Sequence, residues 1–226
     1  MEGSMSKISL ICGIAAGPLF VLSFLIQGAT RDGYDPMRHP VSSLALGDHG
    51  WTQTATFLIT GTLTIVFAVG LQRTLRRGPG RLWGPLLVGV WAIGLVGAGL
   101  FTTDPVSGYP PGSPNLMPAY GSTHAALHDG VSLVAFIAIM AVCIVFARRF
   151  VADNRRAWAL YSAATAIAVL VTLALSGAAF AQSPNLVAFG GLFQRIMIVA
   201  AWSWLTLLAR DTYRNGDRPR PDSRVR

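Results

Sequence analysis

The chain has 226 residues, of which 52% are hydrophobic and only 12% are charged. This composition, with a mean hydropathy of +0.50, argues against a water-soluble domain and favours a protein folded in a lipid bilayer. The formal net charge of +8 would suggest nucleic-acid binding in a soluble protein. The positions of the basic residues along the chain explain this positive charge in another way, so we expect no nucleic acid partner.

Six apolar stretches are long enough to cross a bilayer as helices, since a span needs about 20 apolar residues. They cover residues 8–28, 51–71, 82–101, 127–147, 157–180 and 186–209. The first could be a secretory signal, but it is too long and no small-x-small cleavage pattern follows it, so we interpret it as an uncleaved span. We therefore predict an all-α fold. A six-transmembrane-helix bundle occupies residues 1–209, and a basic tail over 210–226 is expected to be disordered.

Basic residues are concentrated on one side of the predicted bundle. Fifteen of the 18 Lys and Arg residues lie before the first span, between spans two and three, between spans four and five, or in the tail. Cytoplasmic loops of membrane proteins carry an excess of such residues. We therefore predict that both termini are cytoplasmic and that the links 29–50 and 102–123 lie outside. The excess charge would also attract anionic lipid headgroups.

The two long outer links differ in character. The first contains a short mixture of apolar and hydroxyl residues over 41–46, which we expect to dip back into the bundle. The second is rich in Pro and Gly, so neither helix nor strand is expected across it. It should form an ordered cap or a mobile lid.

Several spans carry signals of close helix packing. Gly13 and Gly17 form a G-x-x-x-G pair, and Gly94 with Ala98 is a similar pair in the third span. In the second span four threonines recur at four-residue spacing and share one face: Thr52, Thr56, Thr60 and Thr64. We expect their hydroxyls to bond to their own helix or to a neighbour, with a polar groove as the alternative.

Two histidines four residues apart mark the start of the fourth span. His124 and His128 would stack on one face of a helix, and such a pair can hold a metal. The pattern lacks the glutamate of H-E-x-x-H, so a third ligand must come from elsewhere, with Asp104 the candidate and zinc the expected ion. The alternative is a pair of hydrogen-bonded histidines at the membrane boundary.

Arg195 is predicted to lie inside the membrane. Only about 21 Å of helix would separate it from Arg210, too little to cross a core of about 30 Å, so the sixth span must begin before Arg195. A guanidinium in this position requires a partner or a wet cavity. It is either half of a buried ion pair, with Asp104 or Asp35 as its partner, or a clamp for an anion or substrate.

The order of short motifs resembles that of a known family. The motifs are Tyr34-Asp35-Pro36, His39-Pro40-Val41-Ser42, Thr103-Asp104-Pro105, His124 and Gly191 to Arg195. Over nearly the whole chain they resemble the bacterial membrane-protein family recorded as domain of unknown function 998. The resemblance implies a six-helix bundle and no established reaction. It also implies that Ser42, Asp104, His124 and Arg195 belong to a polar centre.

Two functional hypotheses use this polar centre. In the first, a membrane-embedded hydrolase, isomerase or cyclase acts on a lipid-like substrate, with Asp104 and His124 transferring protons and Arg195 holding negative charge. Its substrate-binding residues would be Asp35, His39, Ser42, Ser43 and Gln194. In the second, the same residues bind a lipid or transport a small molecule or proton without chemistry. The sequence contains no nucleotide-binding motif, so no nucleotide cofactor is expected. The family resemblance and the spans predict a location in the bacterial cytoplasmic membrane.

Overall fold

The computed structural model of the protein describes residues 2–115 and 121–216, and these form a bundle of helices. The six long helices are α1 (Glu2–Thr30), α2 (Trp51–Thr74), α3 (Trp83–Leu100), α4 (Thr123–Ala152), α5 (Arg156–Phe180) and α6 (Gly190–Asn215). Short 3-10 helices cover Val41–Ala45 and Val187–Phe189. Each long helix contains a segment long and apolar enough to cross a membrane. The prediction of an all-α protein with six spans is thus confirmed.

Several helix ends differ from the predicted span boundaries, and local contacts explain two of them. α4 begins before the apolar stretch because the Ser122 hydroxyl accepts a hydrogen bond from the Ala125 N–H at 3.1 Å and caps the first turn. α6 continues past residue 209 to Asn215, since Asp211 pairs with both terminal nitrogens of Arg155 at 2.8 and 2.6 Å. The basic tail therefore starts as helix, and its residues 217–226 lie outside the described part of the chain.

The helices form a ring in chain order. Each packs on the helix before it and the helix after it, and α1 closes the ring against α6. α3 therefore faces α6 across the ring. We call the end with the α1–α2, α3–α4 and α5–α6 links the cap end, and the other end the basic end.

Small residues allow the helices to approach closely, as the sequence predicted. A Cβ on Gly13 would lie 2.5 Å from the Phe67 ring and 3.0 Å from the Ala209 Cβ, and one on Gly17 would collide with the Thr206 hydroxyl. Gly13 and Gly17 thus bring α1 into contact with both α2 and α6.

The threonine face of α2 makes the hydrogen bonds expected of it. The hydroxyls of Thr56, Thr60 and Thr64 each donate to the carbonyl four residues earlier, at 2.6 to 2.8 Å. Thr56 also bonds to the Ser23 hydroxyl of α1 at 2.6 Å. These polar side chains are therefore satisfied within the helix pair and do not form an open groove of their own.

Candidate functional site: a capped central cavity

The link between α1 and α2 docks onto the first turn of α6. The Gly191 N–H donates to the Arg38 carbonyl at 3.2 Å, and the Leu192 N–H donates to the Met37 carbonyl at 2.9 Å. The first N–H groups of a helix have no partner within the helix, so they are free to bind another segment. This docking brings together two of the motifs that the sequence analysis identified.

Arg195 reinforces the docking from within α6. Its Nη1 donates to the carbonyls of Pro36 at 2.5 Å and His39 at 3.0 Å, as well as to Gly191 one turn back at 3.0 Å. Its Nη2 donates to the Tyr34 hydroxyl at 2.5 Å. All four acceptors are uncharged oxygens.

The predicted ion pair of Arg195 is not observed. Within residues 2–115 and 121–216, no carboxylate lies within 4.0 Å of its guanidinium, and neither Asp35 nor Asp104 pairs with it. Asp35 instead accepts a hydrogen bond from the Met37 N–H at 2.8 Å. The charge is balanced by carbonyl dipoles because the docked link directs its backbone oxygens toward α6.

His39 and Tyr34 form the buried centre of the docked link. The His39 Nδ1 accepts from the Asp35 N–H at 2.9 Å, so the hydrogen lies on Nε2, which donates to the Ser107 carbonyl at 3.2 Å. The Tyr34 hydroxyl donates to the Pro40 carbonyl at 2.9 Å. Burial raises the pKa of Tyr34 to about 12, although the neighbouring Arg195 acts in the opposite direction. Both rings are therefore neutral and have structural hydrogen-bond partners.

The docked link should loosen in mild acid because His39 is held neutral. Burial lowers the pKa of His39, with Arg38 and Arg195 acting in the same direction and the Ser107 carbonyl and Asp35 opposing. In the unfolded chain His39 takes up a proton below about pH 6.5, whereas in the folded chain it does not. The contribution of neutral His39 to the free energy of folding is therefore complete above that pH and declines below it. We expect trypsin cleavage after Arg38 to accelerate as the pH falls below 6.5.

Two variants distinguish the effect of His39 on this pH dependence from that of another histidine, His124. His39→Gln should remove most of this pH dependence, whereas His124→Gln should keep it, since His124 is exposed. Equal pH profiles for the two variants would rule out His39 as the titrating group.

The link between α3 and α4 packs over the docked segment. Tyr109 lies 5.1 Å from Tyr34 and 5.2 Å from His39 between ring centroids. The Arg38 Nε donates to the Ser107 carbonyl at 3.0 Å. We call residues 34–46 and 104–115 together the cap. The described part of this link is thus an ordered cap, and residues 116–120 lie outside the description.

The predicted metal ligands have separate roles in the structure. Asp104 accepts from the Ser122 N–H at 2.6 Å and the Ser122 hydroxyl at 2.8 Å, which ties the end of α3 to the start of α4. His124 is exposed, with its ring 5.8 Å from that of Phe101. His128 is 4% exposed, and its Nδ1 donates to the Phe101 carbonyl at 2.7 Å. The described residues contain no group of three His, Cys, Asp or Glu that could hold a metal.

The predicted catalytic residues are likewise not in contact. In the part of the chain that the structure describes, no hydrogen bond or ion pair joins any two of Asp104, His124 and Arg195. Arg195 binds the docked link, and Asp104 binds the start of α4. Their catalytic roles, and the zinc site, stay predictions without an assembled centre behind them.

A central cavity of about 360 Å³ lies beneath the cap, in the half of the bundle nearer the cap end. Its polar lining consists of Ser42, Thr103, His128, Asp129, Ser132, Ser176 and Gln194. Its aromatic lining consists of Phe20, Phe57, Trp91, Phe136, Phe180 and Trp202. A cavity of this size, mostly apolar with a few polar groups, is typical of small-molecule sites. Of the predicted binding residues, Ser42 and Gln194 line it, while Ser43 is buried and does not line it.

Two tryptophans close the cavity floor. Trp91 of α3 and Trp202 of α6 meet edge to face with their centroids 5.7 Å apart. Phe136 packs against Trp91 at 5.5 Å, and Phe20 packs against Trp202 at 5.5 Å. Because α3 and α6 face each other across the ring, their indoles fill its centre. None of these four residues belongs to a motif predicted from the sequence to be functional.

The cavity reaches the surface of the bundle between α4 and α5. Four residues line the cavity and are also exposed: Asp129 and Leu133 of α4, Gly177 of α5, and Ala181 directly after α5. A Cβ on Gly177 would meet no atom within 4 Å. We call this opening the portal. It lies on the side of the bundle that a membrane would cover.

The polar groups of the cavity keep free hydrogen-bonding capacity. Since carbonyls only accept, the His128 Nδ1 carries a hydrogen, and the ring keeps its Nε2 for a further hydrogen bond. Gln194 uses its carbonyl oxygen for the Val41 N–H at 2.7 Å, which leaves its NH₂ group. The hydroxyls of Ser42 and Ser132 bond to no described protein atom. None of the lining residues is Lys or Arg.

Comparison with known proteins gives a family for this architecture. No curated protein and no solved structure matches the chain. Residues 14–211, which include α2 to α5, most of α1 and α6, the cap and the cavity lining, match the family described as Protein of unknown function (DUF998). The docked motifs at residues 34–42 and 191–195 fall within this match, and the chain belongs to that family.

Proposed function

We propose that this protein binds a lipid-like molecule in the central cavity, with entry from the membrane through the portal. The observation that carries the proposal is the position of the opening: a largely apolar cavity beneath an ordered cap reaches the surface between α4 and α5. An apolar molecule dissolved in the bilayer could enter there without passing through water. The binding alternative is favoured over the enzyme because Asp104, His124 and Arg195 are engaged in separate contacts.

The polar lining favours a ligand whose polar end is uncharged or cationic. The carboxylate of Asp129 would repel an anion, and no Lys or Arg side chain lines the cavity to offset it. Free hydroxyls at Ser42 and Ser132 and the Gln194 amide suit hydroxyl or carbonyl groups. The ligand class is thus a neutral or cationic lipid rather than an anionic phospholipid, and a neutral lipid is the probe we choose.

Photo-crosslinking can test lateral entry. We expect a diacylglycerol with a diazirine in its acyl chain to label cavity residues of the purified protein in lipid nanodiscs. Gly177→Leu should reduce the labelling several-fold, because its side chain would extend into the portal. Gly89→Leu is the matched control, since Gly89 of α3 also has no atom within 4 Å of an added Cβ and does not line the cavity. Equal labelling in the two variants would contradict entry through the portal.

We further propose that the cap end faces away from the cytoplasm of a bacterial cell. The excess of Lys and Arg in the links and termini at the basic end supports this orientation. In a chain with Cys12 and Cys143 replaced by Ala, a cysteine in place of exposed Asp48 should react with an impermeant thiol reagent on intact cells. A cysteine in place of exposed Arg156 should react only after lysis. The reverse pattern would invert the topology.

A further inference from the structure

The cavity floor contains two hydrogen-bond donors without acceptors. The indole nitrogens of Trp91 and Trp202 are buried, and neither has a hydrogen-bond partner in the described part of the chain. The two side chains are 2% and 1% exposed. Buried polar groups without partners are rare in folded proteins, and a buried tryptophan usually finds an acceptor for its N–H. These two donors therefore require an explanation.

A third tryptophan provides a direct comparison. Trp204 lies on the same helix as Trp202 and is also fully buried, but its Nε1 donates to the Ser162 hydroxyl at 3.0 Å. Trp204 does not line the cavity, whereas Trp91 and Trp202 do. Both unpartnered indoles thus belong to residues that line the cavity. Their Nε1 atoms are themselves closed to water, so a bound molecule would supply the acceptor once the rings turn toward it.

The floor lies deep in the membrane. α3 extends from Trp83 to Leu100, and at about 1.5 Å per residue Trp91 lies roughly 12 to 14 Å from either end. A glycerolipid held at the membrane boundary keeps its ester oxygens near its headgroup, far from this level. An acceptor at the floor must belong to a molecule whose oxygen-bearing part is itself apolar enough to enter the core.

We infer that the cavity binds an apolar ring compound bearing a carbonyl oxygen, of the quinone class, and that Trp91 and Trp202 donate hydrogen bonds to that oxygen. This inference rests on the proposed lipid-binding function. The floor suits a planar ring because Phe20 and Phe136 extend the aromatic surface on either side of the two indoles. Nearer the cap, Ser42 and the Gln194 amide offer donors for a second oxygen.

The test compares two probes of the same shape with the full chain in detergent. One is a naphthoquinone with a short alkyl tail, and the other is the corresponding alkylnaphthalene without oxygens. Calorimetry should show the quinone binding about 10-fold more tightly, the ratio expected for one or two neutral hydrogen bonds. In the Trp91→Phe/Trp202→Phe variant this ratio should fall to about one through weaker quinone binding, with alkylnaphthalene binding kept. Trp204→Phe is the matched control and should leave the ratio unchanged.

The outcomes separate this inference from the proposed function. Equal binding of the two probes to the unaltered chain, or an unchanged ratio in the double variant, would overturn the inference while leaving lipid binding in place. If neither probe binds and Gly177→Leu does not affect diacylglycerol labelling, the proposed function fails as well. A preference for diacylglycerol over its diether analogue, with none for the quinone over the hydrocarbon, would assign the donors to an ester carbonyl and overturn the quinone class.

Discussion

Replacing Arg195 with methionine is expected to destabilise the folded protein by about 3 kcal/mol or more, because three hydrogen bonds from a charged donor to the docked link would be lost. The carbonyls of Pro36 and His39 and the hydroxyl of Tyr34 would lose their guanidinium partner. The thermal midpoint in detergent should fall by several degrees. The thermal midpoint of Arg195→Lys should lie between those of Arg195→Met and the unaltered protein, since an ammonium keeps the charge but not the planar set of donors.

The same variants distinguish hydrogen bonding to carbonyls from an ion pair. If Arg195 neutralised a buried carboxylate, adding Asp35→Asn or Asp104→Asn to Arg195→Met would restore stability, because the unpaired charge would be removed. The structure predicts no such rescue. Arg156→Met, at an exposed arginine on α5, is the control for loss of positive charge alone and should have little effect. Rescue by either asparagine would contradict the docking geometry.

Gly191→Ala should undock the same link by a steric route. An added Cβ would lie 2.5 Å from the His39 carbonyl oxygen and 2.6 Å from the Pro36 carbonyl oxygen. Both are backbone atoms that cannot rotate away, so the docked segment itself must shift. We expect a loss of about 2 to 3 kcal/mol and faster trypsin cleavage after Arg38.

Gly177→Ala is the matched control for this substitution, because a Cβ there has open space and alanine favours the helix. It should leave the cleavage rate and the thermal midpoint unchanged. Were Gly191→Ala as stable and as resistant to trypsin as Gly177→Ala, the docked position of the link on α6 would be wrong.

The spans could be predicted from the sequence, but the cavity could not. Length and hydropathy are enough to find a span, because the bilayer requires about 20 apolar residues in a row. They do not show which face of a helix points inward, since lipid and helix interior are both apolar. Trp91 is 2% exposed and Ile93 is 65% exposed, yet both are large and hydrophobic. One signal was present: Gly94 and Ala98 share a helical face with Trp91, and all three line the cavity.

Two of the polar motifs meet in the structure, but the contacts they make could not be predicted from their residue types. The motifs at residues 34–42 and 191–195 do meet, as a docking contact between a link and a helix start. A sequence cannot show whether an arginine will bind carbonyls, a carboxylate or a ligand. His124 and His128 have the spacing of one helical face, but α4 begins so close to His124 that this residue stays exposed while His128 is buried.

The tryptophan floor would limit how the proposed ligand moves once it is bound. Trp91 and Trp202 close the centre of the ring, so the cavity is a blind pocket whose entrance and exit lie in the same half of the membrane. Net passage to the opposite leaflet would require α3 and α6 to separate far enough to part the two indoles. With the floor closed, occupancy can only rise and fall with the abundance of the ligand in one leaflet. Under the proposed lipid-binding function, that behaviour would be characteristic of a receptor or a reservoir rather than a conduit.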